Sequence, residues 1–277
     1  MQASRNKKET SLASITVGKL DLRFKHVRGK TRLLDCYQQP PLKVSRDLYV
    51  EGTNHDTVFL MESSGGLVAG DRNEFNVYVE EEGSVTLRPQ SATKVYPAFN
   101  DKPSTQQVNI TLEDHTFLEW NREEVIPFED ARFTSTTSIQ MTDTSSLLWG
   151  EILYPGREKR GEAFTFRACN THLDVWVNDH CVVYDRLRLQ PSEQNLKQLG
   201  ALEDYNYIGS VWIVSPSITD TDAKVHETFV QNKEHKSGIT MLDGKGILVR
   251  WLSNDLPLVK KEFDKVSDYF KSRMITK

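Results

Sequence analysis

Glycine and acidic residues are concentrated in one short segment, Glu62-Ser-Ser-Gly65-Gly66-Leu-Val-Ala-Gly70-Asp71. Glycine lets a backbone adopt positive φ or approach another surface closely. A phosphate-binding loop would need Lys followed by Ser or Thr at the start of a helix, whereas here the charge of Asp71 would repel phosphate and a strand-like sequence follows. We therefore expect a tight turn. Asp71 either bonds backbone N–H groups of this turn or takes part in binding.

A second segment, Arg88-Pro-Gln-Ser-Ala-Thr-Lys-Val-Tyr96, combines small polar residues with one lysine. Such a composition suits the edge of a strand that contacts another molecule. An ordinary surface strand has the same composition, so this segment alone does not decide between the two interpretations.

Cysteine and histidine occur together only around Cys169, His172 and Cys181. The pattern predicts a hairpin that turns at Asn178-Asp179, with His172 facing Asp185. In that register Cys169 lies about 23 Å along the strand from Cys181, at about 3.3 Å per residue, which is too far for shared metal ligation. We therefore expect no zinc site. The pairing of His172 with Asp185 is either a pH-sensitive ion pair or a common cross-strand surface pair.

Carboxylates are abundant between Glu119 and Asp130. A glycosidase needs two of them about 5–10 Å apart around a sugar cleft, and spacing along the chain does not reveal this arrangement. A solvated acidic face is the simpler interpretation. Because there is no nucleophile elbow, HExxH, EF-hand or dinucleotide fingerprint, the sequence gives no positive indication of an enzyme.

The chain has 277 residues with 35 basic and 39 acidic side chains, so its formal charge is −4. This balance gives no reason to expect binding to nucleic acid, and no stretch approaches the roughly 20 apolar residues of a membrane span. Residues 1–13 are polar, and we expect a flexible N-terminus rather than a secretory signal. The three cysteines, Cys36, Cys169 and Cys181, indicate reduced thiols and a cytoplasmic protein.

The elements that must position these residues are mainly strands. Apolar and polar residues alternate from Leu20 to Lys25 and again from Phe75 to Val79, which is the period of a half-buried strand. Short strands separated by turn signals, with no helix between them, predict an antiparallel all-β architecture over residues 14–190.

The last third of the chain changes character. Residues 191–202 predict a short helix capped by Ser192, and residues 220–236 carry apolar side chains at helical spacing. Asp243-Gly244 between two apolar runs predicts a hairpin. Val259 to Met274 form an amphipathic stripe, which predicts a helix capped by Asn254 or Asp255. We expect one domain, 14–277, in which an α+β section of about 203–277 packs on the β-rich body.

Several segments occur together in an order that is typical of one family. They are Gly65-Gly-Leu-Val-Ala-Gly-Asp71, Ser91-Ala-Thr-Lys-Val-Tyr96, Leu118-Glu-Trp120 followed by Ile126-Pro-Phe, Pro155-Gly-Arg157 through Gly161-Glu-Ala-Phe164, and Asp185-Arg-Leu-Arg-Leu189. In this respect the chain resembles the urease accessory protein D family, called UreD or UreH, over roughly residues 15–252.

The resemblance implies a cytosolic maturation factor and not a catalyst. Members of this family help to insert nickel into apo-urease, bind the urease apoprotein and the helical partner UreF, and through UreF recruit the GTPase UreG. The family fold is a β-rich, roughly helical stack of strands with two helices, and nickel is thought to pass through an internal tunnel. The resemblance thus implies nickel in transit, none tightly bound, and a homodimer within the accessory complex as a possible assembly.

The resemblance also selects candidate site residues. Asp71 matches the acidic position after the glycines, and Glu119 and Asp185 are weaker candidates for contact with nickel. The chain has Arg72 where a second acid is typical, which predicts an arginine paired with Asp71. The motif residues Gly65, Gly66, Gly70, Thr93, Lys94 and Tyr96 are expected to have structural roles. Two alternatives remain open: a carbohydrate-active β-solenoid enzyme that uses paired carboxylates, and a β-rich interaction module without a metal role.

Overall fold

A computed structural model describes residues 15–45, 48–49 and 54–275, so the predicted flexible segment 1–13 lies outside the described residues. The described chain is mostly strand. The strands of the first half are β1 (Val17–Val27), β2 (Lys30–Gln39), β3 (Leu42–Val44), β4 (Leu48–Tyr49), β5 (Asp56–Glu62), β6 (Arg72–Val79), β7 (Ser84–Pro89), β8 (Thr93–Val95), β9 (Ser104–Leu112) and β10 (Phe117–Pro127). Those of the second half are β11 (Arg132–Met141), β12 (Ser146–Leu153), β13 (Gly156–Arg157), β14 (Glu162–Ala163), β15 (Ala168–Val177), β16 (His180–Leu189), β17 (Tyr207–Val214), β18 (His235–Leu242) and β19 (Gly246–Ser253).

Two large sheets contain nearly all of these strands. The first sheet has seven strands in the order β16-β15-β11-β9-β6-β1-β2. The second has ten, with β18-β19-β17-β12-β10-β7-β5-β3 along its main path, β4 beside β5 and β8 beside β10. The short β13 and β14 pair only with each other. The fold is therefore mainly β, as the sequence predicted.

The pairing within the body is parallel, and the predicted antiparallel architecture is wrong there. Consecutive strands such as β5, β6 and β7 alternate between the two sheets, so the strands that become neighbours within a sheet run in the same direction. The chain thereby winds as a helical stack of strands, which the resemblance implied. Antiparallel pairs form where two strands adjacent in sequence join the same sheet, as in β1-β2, β15-β16 and β18-β19.

Two apolar clusters fill the space between the sheets. The larger is centred on Trp120 and Trp149, and the smaller contains Phe133 and Phe166. A third cluster lies on the outer face of the second sheet, where helix α1 (Leu256–Met274) covers Val211, Val249 and Trp251. The central strands β12, β17 and β19 of the second sheet are consequently buried on both faces, whereas no helix covers the outer face of the first sheet in the described part of the chain.

The C-terminal third confirms most of its predicted elements. Helix α1 begins where predicted, since the Asp255 carboxylate accepts a hydrogen bond from the Leu258 N–H at 3.0 Å. Strands β18 and β19 form the predicted hairpin, with Asp243 and Gly244 at positive φ. The helix predicted within 220–236 is a 3₁₀ helix, Asp220–Thr228.

The helix predicted over residues 191–202 is wrong, because this segment forms a series of turns. The side chain of Gln194, rather than that of Ser192, bonds the backbone there, by accepting from the Gln190 N–H at 2.8 Å. The segment is short of apolar residues on one face, so packing gives a helix little support there.

Candidate functional site

A row of polar side chains crosses the inner face of the first sheet. The row consists of four residues at matched register positions: Asn73 on β6, Gln106 on β9, Ser135 on β11 and Thr171 on β15. Each takes an inward position in a strand whose next inward residues are mostly apolar, such as Phe75 after Asn73. The row therefore forms a polar line across an otherwise hydrocarbon surface.

A second row lies on the second sheet. It consists of four residues at matched register positions: Glu123 on β10, Glu151 on β12, Ser210 on β17 and Arg250 on β19. The same cavity is lined by all four of these residues and by Ser135 and Thr171 of the first row. The two rows therefore face each other between the sheets. We call these eight residues the polar belt. The belt separates the two apolar clusters of the interior.

A β-bulge brings Glu123 into the belt. Strict alternation along β10 would place Glu123 on the same face as Glu119, away from Trp120. The register with β12 shifts between Trp120 and Glu123, and Arg122 has φ +45° at this point. The extra residue reverses the alternation, so that Glu123 faces inward and Glu124 outward.

Two cavities meet at Glu123. The larger has a volume of about 450 Å³ and combines apolar walls with Glu123, Glu151, Asp185 and Arg250. The smaller has a volume of about 30 Å³ and lies between Glu123 and Glu62. The smaller cavity is therefore a narrow space next to the larger one, with room for water but not for a large ligand.

The two belt carboxylates have neutral hydrogen-bond donors. Glu123 accepts from the Thr93 hydroxyl at 2.7 Å and the Trp120 indole at 3.2 Å, and Glu151 accepts from the Trp149 indole at 2.7 Å. Burial raises the pKa of Glu123. Burial, together with the negative charges of Glu123 and Asp185, raises the pKa of Glu151 to about 7. The two belt carboxylates are thus buried with neutral donors, and burial favours their protonated forms.

At the other end of the belt, the predicted site residue Asp185 forms an ion pair with Arg250. The Arg250 guanidinium lies 2.8 Å from the Asp185 carboxylate and donates to the Ser210 hydroxyl at 3.0 Å. Because Arg250 is on β19 and Asp185 on β16, this pair joins the two sheets beside the larger cavity. The structure therefore places Asp185 at the belt.

Glu119 lies outside the belt, although it was also a predicted site residue. Its carboxylate forms an ion pair with Lys271 of α1 and accepts from Ser267 and Thr86, both at 2.6 Å. Burial alone would raise the pKa of Glu119, but the Lys271 charge and these hydrogen bonds lower it to about 2. The neighbouring His55 bonds Thr86, and burial lowers its pKa to about 4. This network fastens α1 to the second sheet.

Asp71 holds the glycine segment in its turn. Its two carboxylate oxygens accept from the Thr16 N–H at 2.8 Å and the Val68 N–H at 2.9 Å, as the structural interpretation predicted. The predicted pairing of Arg72 with Asp71 is wrong, because the Arg72 side chain contacts Glu74 and Gln107 on the outer face of the first sheet. A role of Asp71 in binding nickel stays a prediction.

The two motif segments rich in small residues lie against each other. Gly65, Gly66 and Gly70 all have positive φ, and a Cβ at Gly66 would lie 2.5 Å from the Lys94 carbonyl oxygen. Leu67 donates to that carbonyl at 2.8 Å. Thr93 bonds Glu123, and Tyr96 packs edge-to-face on Phe128. These segments thus adjoin the Glu62 end of the belt.

The predicted pairing of His172 with Asp185 is wrong. A bulge between Val175 and Trp176 shifts the β15-β16 register, so that His172 faces Arg186 and its ring nitrogen lies 3.4 Å from the Asp174 carboxylate. Cys36 is exposed, Cys181 half-buried and Cys169 buried, and the described residues contain no disulfide between them. No group of three or more His, Cys, Asp or Glu side chains is gathered as a metal cage among the described residues, and the belt carboxylates are instead spaced strand by strand.

Comparison with known proteins identifies the family. The model of the family described as UreD urease accessory protein matches residues 16–277. This chain belongs to the UreD family. Its relatives include urease accessory proteins UreD of Sporosarcina pasteurii, 43% identical over 92% of this chain and all of that protein, and of Lysinibacillus sphaericus, 42% identical over 90% of this chain and 93% of that protein. The UreD protein of Halalkalibacterium halodurans is 38% identical over 85% of this chain and 87% of its own length.

Membership of the UreD family supports a role in urease maturation. In the described part of the chain, no helix is both long and apolar enough to span a membrane. Sequence reasoning missed most of the belt, including Asn73, Gln106 and Glu151. The sequence did contain a signal for these three residues, because each is polar at an inward position of an alternating strand. The inward position of Glu123 has no such signal, because it depends on the bulge.

Proposed function

We propose that this UreD-family chain acts in urease maturation by letting Ni²⁺ pass along the polar belt on its way to apo-urease. The single observation that supports this most is the continuity of the belt. Polar groups extend from Glu62 through Glu123 and Glu151 to Asp185, and the two cavities they line meet at Glu123. The proposal makes the protein a scaffold and metallochaperone, not a catalyst.

The ligand chemistry of the belt suits transit better than storage. Nickel binds imidazole and thiolate tightly, following the Irving–Williams trend, and the belt offers carboxylate, amide and hydroxyl oxygens instead. Neighbouring strands are about 4.8 Å apart, so Glu123 and Glu151 provide successive contacts at a short separation. A cation can therefore move from one carboxylate to the next over about one strand spacing.

The larger cavity has room for a hydrated ion. Six waters occupy roughly 180 Å³ at about 30 Å³ each, well below the 450 Å³ of this cavity. Its apolar walls provide no ligand that would compete with the hydration shell. We infer that the ion crosses this part of the belt with most of its water attached.

The geometry is less favourable to a carbohydrate-active enzyme. Glu123 and Glu151 are adjacent in register, but both face the space between the sheets, and the turns at residues 196–202 form one wall of their cavity. A glycosidase would present its two carboxylates across an open cleft that accepts a chain of sugars. A β-rich module without a metal role gives no reason for two inward-facing carboxylates, Glu123 and Glu151, at matched positions of neighbouring strands.

The proposal extends to partners. We expect this chain to bind the urease apoprotein and UreF, and to reach UreG through UreF, within an accessory complex that can contain two copies of the chain. Scaffold interfaces of this kind often bury more than about 2,000 Å². The uncovered outer face of the first sheet and the exposed side chains of Leu34 and Tyr37 on its edge strand β2 are surfaces available for such contacts.

Reconstitution tests this proposal. Apo-urease, Ni²⁺, the GTPase and its adaptor are combined with and without this chain, and urease activity is followed at limiting nickel. We expect activation to depend on the chain. Equal activation in its absence would contradict a role in maturation, and equal activation by a chain with Glu123→Gln and Glu151→Gln would contradict passage along the belt.

A further inference from the structure

Strand β16 forms one edge of the first sheet and has no strand on its outer side. It pairs with β15 alone, and its outer row of backbone N–H and C=O groups bonds no other backbone in the described part of the chain. An open edge of this kind can bind a further strand, because its backbone groups are already extended. The edge strand β18, across the larger cavity, is protected, since the Gln231 side chain bonds both the N–H and the carbonyl group of Ser237.

The side chains of β16 alternate between two environments. Asp185 and Leu187 face inward and line the larger cavity. Tyr184, Arg186 and Arg188 lie on the opposite, outer side, where all three are exposed. The family segment that contains these residues therefore serves the cavity with its inner face and presents two arginines to solvent with its outer face.

The two arginines have only neutral partners. Arg186 donates to the Tyr184 hydroxyl at 2.6 Å, with its guanidinium carbon 4.8 Å from the centre of that ring, and Arg188 donates to the Gln190 side-chain oxygen at 2.6 Å. Neither arginine forms an ion pair with a carboxylate of the described residues, whereas Arg72 on the same outer face is paired with a glutamate. Both guanidinium groups can therefore bind a carboxylate from outside the chain.

We propose that β16 binds an extended acidic segment of a partner protein, which joins the first sheet as a further strand with its carboxylates facing Arg186 and Arg188. Alternate residues of a strand are about 7 Å apart, so acidic residues at every second position of the incoming strand face both arginines at once. Backbone hydrogen bonds hold the segment, and the charges select it. The inference goes beyond the proposed function and does not depend on the passage of nickel.

A second copy of this chain suits the edge less well. Antiparallel pairing of β16 with its own copy, centred on Arg186, places that arginine opposite its equivalent. Pairing centred on Leu187 places Arg186 opposite Arg188. Like charges directly opposite each other destabilise a strand pair, so the residues that attract an acidic strand disfavour self-association.

Peptide binding to the full chain tests this site without urease or nickel. The probe is a fluorescein-labelled peptide of the length of β16, in which Glu alternates with Thr and Val, and fluorescence anisotropy follows its binding at fixed ionic strength. We expect an at least tenfold weaker affinity for the double variant Arg186→Gln with Arg188→Gln, and the same loss when Gln replaces Glu in the peptide. Arg88→Gln is the matched control, because Arg88 is an exposed arginine on β7, a strand with neighbours on both sides.

Three results of this measurement would overturn the site. They are no binding of the acidic peptide to the wild-type chain, equal affinity for the wild type and the double variant, and an equally large loss with Arg88→Gln. The last of these would show attraction to positive charge in general.

Backbone methylation of the peptide tests whether it binds as a strand. Alternate residues of a strand direct their N–H groups to the same neighbour. Of two peptides methylated on alternate backbone nitrogens, one pattern or the other, we expect one to lose binding and the other to keep it. Equal effects of the two patterns would overturn strand addition. Analytical ultracentrifugation of the chain alone tests the other occupant, because a dimer that the double variant dissociates would assign this edge to a second copy instead.

Discussion

Glu119 and Glu123 lie four residues apart on one strand, and both are buried, yet their surroundings are opposite. Glu119, 1% exposed, faces α1 and is neutralised by Lys271. Glu123, 6% exposed, faces the other sheet and is bonded by neutral groups. One bulged residue between them determines which face each side chain takes.

This difference separates a carboxylate that holds the fold together from one that is available to a ligand. A buried charge paired with a fixed lysine has little to gain from a passing cation. A buried charge without such a partner is destabilised by desolvation, and a cation relieves that cost. The raised pKa of Glu123 and the lowered pKa of Glu119 are the electrostatic expression of the same contrast.

Removal of the lysine should have the largest effect on stability. Lys271→Met leaves the Glu119 carboxylate buried without a counterion, and we expect a loss of about 3 kcal/mol at pH 7 by chemical denaturation. Because the pKa of Glu119 is about 2 in the folded chain, against an ordinary 4.5, its stabilisation is complete above pH 4.5 and is lost as the pH falls toward 2. The double variant Lys271→Met with Glu119→Gln should recover most of the loss. A single variant as stable as the wild type would contradict the structural role of the pair.

The contribution of the belt residue Glu151 to stability should depend on pH in the opposite direction. The pKa of Glu151 is raised from 4.5 to about 7, so the folded chain binds the extra proton between these values and stability falls as the pH rises through that window. Glu151→Gln removes this fall. We expect the variant to be more stable than the wild type at pH 8, by at most about 3 kcal/mol, and nearly equal at pH 5. Thermal melts at the two pH values check this, and an equal difference at both would contradict it.

Removal of the Asp71 carboxylate from the glycine segment should have an intermediate effect on stability. Asp71→Ala removes two acceptors of backbone N–H groups, and we expect a loss of about 1–2 kcal/mol. A role of Asp71 in contact with nickel predicts, in addition, lower urease activation by this variant. If Asp71→Asn, which keeps one acceptor, restores stability but not activation, Asp71 has a role beyond the turn. Restoration of both would make its role structural.

Glu123→Gln should change stability least, by less than about 1 kcal/mol. Glutamine keeps an acceptor for the Thr93 hydroxyl and removes a charge that burial destabilises. Denaturant melts at pH 7 measure the difference. A loss as large as that of Lys271→Met would show that Glu123 is as structural as Glu119.

The sequence predicted the family, the β-rich body and the final helix because those depend on local patterns. The stripe from Val259 to Phe270 and the cap at Asp255 are readable in single segments. The parallel pairing was not predictable in this way, because short turns between strands look the same whether they join one sheet or two. The site was harder still, since Glu123 and His172 were each misjudged where a single bulged residue shifts the register.

The central claim is that Ni²⁺ moves along the belt through Glu123. The most direct measurement is the initial rate of urease activation at limiting Ni²⁺ with chains carrying Glu123→Gln or Glu124→Gln, each first shown to form the accessory complex. Glu124 is the matched control, because it is the next residue but faces outward to Lys260 and Tyr154. The account predicts at least a tenfold slower activation for Glu123→Gln and a rate near the wild-type value for Glu124→Gln. Equal rates for the two variants would contradict it.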